Sequence, residues 1–335
     1  RVGVLIQNLF HSAGFPKDLV GLCAGYGATG AALMDSGINI VSFTGSTATG
    51  RKVAEHAGRN LLPALLELGG KAAFIVCDDA DLERTVPGAV WTGLCNAGQV
   101  CVSGDRYYVT EKNATQFTER VVEEVKKLRQ GPPPENFYTG EILDVGSMTM
   151  PKQVEIVKQL IEDAVAKGAK ILCGGRPNPE KGGHFFEPTV LANVTEEMEI
   201  RRQETFGPVI AISVVKDEAE AIRLANRSTY GLNNTVWTRD IQKGLKYARQ
   251  LESGNVMIND GILIAACPSI PFGGTKQSGI GRTGTMDTYK KYCNIQAVLA
   301  PRWWYPFRKE YYWYPYSLQK IKVLKRATQF LARFL

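Results

Sequence analysis

Short apolar runs alternate with amphipathic helical patterns along most of the chain. An apolar run at residues 40–43 precedes a helical pattern at 47–56, and another at 72–76 precedes a helical pattern at 82–94. Short apolar runs indicate buried strands, and strands that alternate with helices are typical of a parallel sheet covered by helices on both faces. The pattern therefore predicts an α/β fold built on a doubly wound parallel sheet.

The alternation continues to about residue 258 without an internal repeat. Each remaining element is predicted from the same two patterns. Further strands are predicted at 19–24, 106–109, 170–173, 209–215, 234–237 and 255–258, and further helices at 4–10, 29–34, 114–128, 152–167, 218–226 and 241–251.

The composition is that of a globular protein with more than one domain. The chain has 335 residues, of which 44% are hydrophobic and 22% are charged. No apolar run is long enough to cross a membrane as a helix. Residues 2–10 lack the features of a secretory signal. We therefore expect a cytoplasmic protein.

Cysteine and histidine are too scattered to indicate a metal site or a disulfide framework. The seven cysteines show no CxxC spacing, and the three histidines lie far apart in sequence. These patterns favour reduced thiols, predict no bound metal and disfavour a Ser-His-Asp triad. The positions are Cys23, Cys77, Cys95, Cys101, Cys173, Cys267 and Cys293, with His11, His56 and His184.

The positive charge is concentrated in residues 301–335. This segment holds eight Lys or Arg residues and one acid, Glu310, so its net charge of +7 equals that of the whole chain. The first 300 residues are formally neutral. The basic isoelectric point therefore describes a tail and does not predict a nucleic-acid partner.

The same tail combines aromatic, basic and apolar side chains. Tryptophan and tyrosine are interleaved with proline and basic residues up to about residue 316, and Leu318, Ile321, Leu324, Leu331 and Leu335 follow near helical spacing. Aromatic rings and basic residues favour the headgroup region of a membrane. The pattern predicts a peripheral membrane contact. Packing on a neighbouring subunit is the alternative.

Cys101 is the first candidate for chemistry. It ends a glycine-containing turn, Asn96 to Cys101, that follows the predicted helix at 82–94. A thiol with a pKa of about 8.5 is a few per cent thiolate at neutral pH, and backbone amides or a helix end raise that fraction. Cys101 is therefore a candidate nucleophile. The alternative is a small buried hydrophobic residue.

Three further residues have the types and positions that chemistry needs. Glu67 lies between an apolar run and a Gly-Gly pair, so we expect a partly desolvated carboxylate that acts as a base. Gly45 and Ser46 lie where a predicted strand ends and a helix begins, and the amides of such a turn bind phosphate. A plain helix cap by Ser46 is the alternative.

Five ordered motifs make the sequence similar to the aldehyde dehydrogenase superfamily. Their order and approximate spacing are those of the superfamily, and the resemblance extends from about residue 4 to about residue 299. The motifs are Phe43-Thr44-Gly45-Ser46, Glu67-Leu68-Gly69-Gly70-Lys71, Asn96 to Cys101, Glu204-Thr205-Phe206-Gly207-Pro208, and Pro271-Phe272-Gly273-Gly274 through Ser278-Gly279-Ile280-Gly281.

The resemblance implies a reaction. Cys101 is expected to attack the carbonyl of a small-molecule aldehyde, with hydride transfer to NAD or NADP and formation of a thioester. Glu67 is expected to activate the water that hydrolyses this thioester to a carboxylic acid, which is the hydrolytic branch of the superfamily. The backbone amide of Cys101 is expected to supply half of the oxyanion hole.

The resemblance also implies the cofactor contacts. Gly45 and Ser46 match the segment that lies against the pyrophosphate. Glu204 matches the glutamate that binds the nicotinamide ribose, and Phe206 matches the phenylalanine that packs near the nicotinamide. On residue type alone, Phe206 would be a core residue. The expected cofactor-binding residues are Gly45, Ser46, Leu68, Gly69, Glu204 and Phe206.

The implied fold is a partial Rossmann-type coenzyme domain followed by an α/β catalytic domain. We expect residues 1–68 to be the C-terminal part of the coenzyme domain and 69–270 to be the catalytic domain. Residues 271–300 are a return segment with an oligomerisation strand at 295–299, and 301–335 are the basic aromatic tail. The resemblance implies a homodimer or homotetramer.

Family members carry a further part of the coenzyme domain before the position of Val4. That part includes an asparagine that supplies the other oxyanion donor and a lysine-containing stretch that grips the adenosine ribose. We therefore expect an incomplete family member, for which the choice between NAD and NADP is not predicted. The alternative is a truncated, inactive relative that acts as a binding or assembly module.

Overall fold

The structure is a computed structural model, and it describes residues 1–134, 140, 142–300 and 313–333. The chain divides into two compact units, residues 1–292 and residues 293–335. The first unit contains all the sheets described below, and the described part of the second contains one helix.

Helices and strands alternate along most of the first unit. The helices of the described residues are α1 (Val2–Ser12), α2 (Gly27–Met34), α3 (Thr47–Arg59), α4 (Leu82–Leu94), α5 (Glu111–Lys126), α6 (Pro151–Ala166), α7 (Glu218–Asn226), α8 (Ile241–Ala248), α9 (Met286–Lys291) and α10 (Leu318–Leu331). The strands are β1 (Val41–Thr44), β2 (Ala64–Glu67), β3 (Ala72–Val76), β4 (Gly104–Thr110), β5 (Lys170–Cys173), β6 (Thr189–Ala192), β7 (Val209–Val215), β8 (Tyr230–Gly231), β9 (Asn233–Trp237), β10 (Asn255–Ile258), β11 (Thr275–Lys276) and β12 (Gly279–Ile280).

The main sheet has seven strands in the order β10-β9-β3-β4-β7-β6-β5. All neighbouring pairs are parallel except β5 and β6. At its centre, Ile75 of β3 is paired with Tyr108 of β4 and with Val236 of β9. A parallel sheet is covered on both faces, so its strands are apolar at consecutive positions. All five residues of β3 are apolar and buried, as this arrangement requires.

Alternate residues of β3 pack against different helices. Phe74 stacks on Tyr107 and on Trp237, with ring centroids 4.8 and 4.9 Å apart, in a core that α4 and α5 cover. Ile75 and Tyr108 belong to a second core, which residues of α7 cover. The side-chain period of two in a strand sends neighbouring residues to opposite faces. The predicted doubly wound α/β sheet is therefore confirmed.

A smaller three-stranded sheet carries Glu67. β1 and β2 are parallel and are connected through α3, and β12 pairs antiparallel with β2 so that Gly279 lies opposite Glu67. A Cβ on Gly279 would lie 2.1 Å from the Leu66 carbonyl oxygen. Glycine at position 279 thus allows β12 to approach the strand that ends at Glu67.

One predicted strand is wrong. Residues 19–24 do not form a strand, and no described strand pairs with them. The oligomerisation strand at 295–299 would pair with another subunit, so it stays a prediction. A strand is stable only where a neighbouring strand takes up its backbone hydrogen bonds. The apolar pattern alone does not provide that neighbour.

The second unit is described through α10. Ser317 caps this helix by accepting a hydrogen bond from the Lys320 amide at 3.2 Å, and the Lys320 ammonium donates to the Trp313 carbonyl at 2.9 Å. The helical spacing predicted for the tail is confirmed over Leu318–Leu331. The predicted aromatic and basic positions 301–312 lie outside the described residues. Among the described helices none is long and apolar enough to cross a membrane, and the cytoplasmic location stays a prediction.

Candidate active site

Cys101 follows three consecutive residues in the left-handed region. Asn96, Ala97 and Gly98 have φ values of 53°, 55° and 71°. For residues other than glycine this conformation costs about 1–3 kcal/mol each, and it persists only where surrounding contacts enforce it. At Gly98 a Cβ would lie 2.0 Å from the Gly207 carbonyl oxygen. Glycine is therefore required there both by φ and by space.

Gln99 holds this turn from the side. Its amide nitrogen donates to the Asn96 carbonyl at 3.0 Å, and its amide oxygen accepts from the Thr149 backbone at 2.7 Å. The Asn96 side chain donates back to the Gln99 carbonyl at 3.2 Å. These bonds connect the turn before Cys101 to the segment that leads into α6.

The backbone after Glu67 lies directly against Cys101. A Cβ on Gly70 would be 2.1 Å from the Cys101 carbonyl oxygen, so only glycine allows this approach. The strand that ends at Glu67 and the turn that ends at Cys101 thus meet at one place. The structure therefore brings together the two residues that the sequence singles out for chemistry.

The Glu67 carboxylate is shielded from solvent and lacks hydrogen-bond partners. Both of its oxygens are buried, and neither has a partner among the described residues. Burial raises the pKa of Glu67 from 4.5 to about 7, while the positive charge of Arg282 acts in the opposite direction. A carboxylate with this pKa is a competent base near neutral pH.

The thiol of Cys101 differs from the sequence-based expectation. Burial, and then the negative charges of Glu204 and Glu67, raise its pKa to about 11, although its own amide and that of Val102 act to lower it. The expected enrichment of thiolate by backbone amides is therefore wrong. Desolvation outweighs the two amides, so the sulfur is protonated at neutral pH and needs a base.

Glu204 lies close to the same thiol and is held by the Gly-Gly segment. The Gly70 amide donates to Glu204 Oε1 at 3.0 Å, and a Cβ on Gly69 would lie 2.3 Å from Glu204 Oε2. Burial raises the pKa of Glu204 to about 7, and the Gly70 hydrogen bond opposes that shift. Phe206 follows two residues later, half-buried, with a φ of 43°. The φ of Phe206 is strained backbone of the kind that clusters at functional sites.

The phosphate candidates lie at the start of α3. Ser46 caps this helix, since its hydroxyl accepts from the Thr49 amide at 3.3 Å and donates to the Thr49 hydroxyl at 3.0 Å. The Gly45 amide donates to the Glu67 carbonyl at 3.1 Å and so extends the β1–β2 pairing. The capping interpretation of Ser46 is confirmed, and its hydroxyl also lies at an exposed helix N-terminus.

Leu68 is buried rather than presented to solvent. Its side chain packs against Gly50 of α3, where a Cβ would lie 2.3 Å from Leu68 Cδ2, and its amide donates to the Ser278 carbonyl at 2.9 Å. Leu66 and Leu68 help to line a cavity of about 210 Å³ beside α3.

Several polar residues around the site were missed at the sequence level. Arg282 is held by the carbonyl oxygens of Gly274 and Gly281, both at 2.7 Å. Lys71 is buried and lies 3.3 Å from Asp105. One sequence feature could have pointed to such a residue, namely a charged side chain immediately before an apolar strand, as with Lys71 before β3. Pairing of these residues depends on chain segments far apart in sequence.

A cluster of Cys77, Asp79 and Glu218 has metal-ligand residue types, with ligand atoms within 4.8 Å of one another. The Lys243 ammonium already bridges its carboxylates, at 2.9 Å from Asp79 and 2.6 Å from Glu218. An ion pair thus accounts for this cluster.

The family follows from comparison with known proteins. A sequence profile described as the aldehyde dehydrogenase family matches residues 1–298. The chain belongs to the aldehyde dehydrogenase family. The comparisons do not favour the alternative of an inactive binding or assembly module.

Similar proteins include both curated sequences and solved structures. The chain is 39% identical, over 331 residues, to 4,4'-diapolycopene aldehyde oxidase of Methylomonas sp, covering 98% of this chain and 60% of that protein. An NADP dependent enzyme of E. coli is similar at 37% identity and a TM-score of 0.80, over 85% of this chain and 58% of that one. A Mycobacterium tuberculosis aldehyde dehydrogenase complexed with NAD+ is similar at 38% identity and a TM-score of 0.77, over 83% and 56%. The chain thus spans 60% or less of each of these three proteins.

Proposed function

We propose that the protein oxidises an aldehyde to a carboxylic acid with NAD or NADP as the acceptor. The observation that carries this proposal is a half-buried thiol with a raised pKa beside two desolvated carboxylates with pKa values of about 7. A thiol in such a place needs a nearby base, and Glu67 has two buried oxygens free to accept a proton.

The chain's own residues divide the reaction between them. The Cys101 thiol gives its proton to Glu67, and the sulfur bonds to the aldehyde carbon, whose carbonyl oxygen becomes the alkoxide of a thiohemiacetal. As the carbonyl reforms, hydride leaves that carbon for the acceptor that the cofactor would supply, and a thioester remains on Cys101. Glu67 releases the thiol proton to solvent and then takes a proton from water, whose oxygen attacks the thioester carbon. The carbon–sulfur bond breaks, the sulfur takes the proton from Glu67 to regenerate the thiol, and the carboxylic acid is released.

The residues present fit a nicotinamide dinucleotide. Gly69 leaves room for the Glu204 carboxylate, and the strained Phe206 stands beside it in the same turn. We assign Glu204 to the ribose, Phe206 to the nicotinamide, and Gly45 with Ser46 to the pyrophosphate at the N-terminus of α3. Leu68 and Gly69 form the adjoining wall. When bound, the cofactor supplies the hydride acceptor.

The test is aldehyde-dependent formation of NADH or NADPH by the purified chain. Cys101→Ala should abolish it, and Glu67→Gln should lower turnover at least about 100-fold because hydrolysis loses its base. Turnover that survives Cys101→Ala would contradict the proposal.

We also propose the domain division expected from the sequence. The small sheet's parallel pair ends at Glu67, and the main sheet begins at Ala72, which supports a boundary near residue 68 between coenzyme and catalytic parts. Residues 271–300 would then return to the small sheet through β12 and continue toward an interface. Ile295, Val298 and Leu299 are exposed, which supports a role for 295–299 in a homodimer or homotetramer.

Light scattering tests the oligomer. Val298→Asp should shift a dimer or tetramer toward monomer, because a buried charge without a partner opposes association. An unchanged mass would place the interface elsewhere.

For the tail we propose contact with an anionic membrane surface and a lipophilic aldehyde as substrate. In α10, Lys322, Lys325 and Arg326 lie on one side of the helical wheel, and Leu324 and Leu331 lie on the opposite side. The 331-residue match to 4,4'-diapolycopene aldehyde oxidase extends well past residue 298, so that relative shares most of the tail. That relative is named for 4,4'-diapolycopene aldehyde, which favours an apolar aldehyde here.

Cosedimentation with liposomes tests the tail. The chain should pellet with anionic vesicles at low salt, and the triple change of Lys322, Lys325 and Arg326 to Gln should release it, since each basic residue near such a surface contributes about 1 kcal/mol. Binding to neutral vesicles only, or none, would contradict a basic membrane contact and favour packing on a neighbouring subunit.

A further inference from the structure

The segment after Glu67 touches the turn that carries Glu204 at two consecutive residues. The Gly70 amide donates to Glu204 Oε1 at 3.0 Å, and the Lys71 ammonium donates to Thr205 Oγ1 at 2.7 Å. The partners in each pair lie 134 residues apart in sequence. Two adjacent contacts of this kind fix the register between the segments, because neither can slip without breaking both.

Lys71 is an unusual residue for this position. Its side chain is fully buried, and Asp105 is its ion-pair partner at 3.3 Å. Burial lowers the pKa of Lys71 to about 8 despite Asp105, and the nearby cations Arg106 and Arg201 lower it further. A buried ion pair is often no more stabilising than apolar residues of the same volume. Stability alone is therefore a poor reason for a lysine here.

Thr205 is held from its other side as well. The Gln153 side chain of α6 donates to the Thr205 carbonyl at 2.8 Å, and Thr205 is itself buried. The next residue is Phe206, whose left-handed backbone needs surrounding contacts to persist. The hydroxyl of Thr205 is thus the point where Lys71 reaches the strained turn.

We propose that Lys71 is a positioning residue that acts through the Thr205 hydroxyl to hold Glu204 and Phe206 in place for the cofactor. Lys71 touches neither substrate nor cofactor in this role. The segment that contains Lys71 begins at Glu67. The contact between Lys71 and Thr205 therefore also fixes the position of the Glu204–Phe206 turn relative to Glu67, the proposed base. The cofactor part of this inference rests on the proposed function.

Thr205→Val and Lys71→Met test the contact in the full chain. Valine keeps the shape of threonine without the hydroxyl, and methionine keeps much of the length of lysine without the charge. The matched control is Lys243→Met, which removes another lysine ion pair, with Asp79 and Glu218, at a different place. Melting temperatures of all variants show how much each change destabilises the whole protein.

Two measurements are made on each variant. The first is hydrogen exchange of the Gly70 amide without cofactor, compared with the amides of β3 as a reference for global opening. The second is the affinity for NADH, from a fluorescence titration. The double variant shows whether the two residues act through one contact.

We expect Thr205→Val to speed Gly70 exchange at least about 10-fold relative to β3 and to weaken NADH binding about 5- to 10-fold. Lys71→Met should change Gly70 exchange and NADH affinity by similar factors. The double variant should show no larger effect than either single variant, and Lys243→Met should leave both quantities unchanged. Unchanged Gly70 exchange or unchanged NADH affinity in Thr205→Val would overturn the inference. A wild-type chain that fails to bind NADH contradicts the proposed function separately, and Gly70 exchange then decides whether Lys71 holds the turn.

Discussion

The main sheet and the first 34 residues are both rich in apolar side chains, yet they use them differently. Every residue of β3 and β4 is buried. By contrast, α1 and α2 bury no residue at all, and Leu5 and Leu9 are 58% and 60% exposed. The comparison shows that an apolar pattern determines the type of element, whereas neighbouring elements determine whether it contributes to a core.

The largest expected difference between these regions is the effect of removing an apolar side chain. Phe74→Ala should lower the free energy of unfolding by about 3–5 kcal/mol, because it leaves a cavity between Tyr107 and Trp237. Leu9→Ala, the matched control in α1, should change it by less than about 0.5 kcal/mol. Urea unfolding measures both. Similar losses at the two positions would mean that α1 packs in a core.

The same glycine substitution should also have opposite effects in the two regions. Gly98→Ala should destabilise the protein by at least about 2 kcal/mol and slow alkylation of Cys101, because φ is 71° and Gly207 leaves no space. Gly30→Ala lies within α2 with nothing nearby, so it should be neutral or stabilise by up to about 1 kcal/mol. Equal tolerance of alanine at both positions would contradict a strained catalytic turn.

A smaller effect concerns the charge beside Glu67. Arg282 lowers the pKa of Glu67, so Arg282→Gln should shift the rising limb of the pH profile of turnover upward by about one pH unit. Arg282→Lys keeps the charge and is the control, so its profile should stay near that of the wild type. A profile that does not move in Arg282→Gln would mean that another group limits turnover.

The raised pKa of Glu67 also has a consequence for stability. The native state keeps this proton between pH 4.5 and about 7, where the unfolded chain has lost it. The stabilising contribution is therefore full below pH 4.5 and disappears as the pH rises through about 7. The stability of the wild type relative to Glu67→Gln should fall over that window in urea titrations. A difference that grows with pH would have the wrong sign.

Sequence patterns predict the elements with strong local signals. The bounds of β3, α4, β7, α7 and β10 are the predicted ones, because each element has a clear period and a clear end. The strands β6, β8, β11 and β12 were missed, and the last three have only two residues each, which is too few to show a period. Strand 19–24 was predicted wrongly for the opposite reason, because its apolar run finds no partner strand among the described residues.

The candidate site also has features that the sequence predicted and features that it did not. Cys101 and Glu67 stand beside glycines in recognisable motifs, and the structure brings them together. The pKa of Cys101 was misjudged because desolvation and two carboxylates from distant segments outweigh the local amides. Lys71 and Thr205 were not connected, because no local pattern records a contact across 134 residues. Local chemistry is readable from sequence, whereas electrostatic environment depends on the fold.

The central claim is that Cys101 is a half-buried thiol kept protonated by its surroundings, Glu67 included. The most direct test is the rate of Cys101 alkylation by iodoacetamide, followed by mass spectrometry from about pH 6 to about pH 10. The rate should keep rising across this range toward a midpoint near pH 11. Glu67→Gln should lower that midpoint, because a negative charge is removed, while it slows turnover. A rate that levels off near pH 7 in the wild type would show a thiolate at neutral pH and contradict the proposed role of Glu67 as its base.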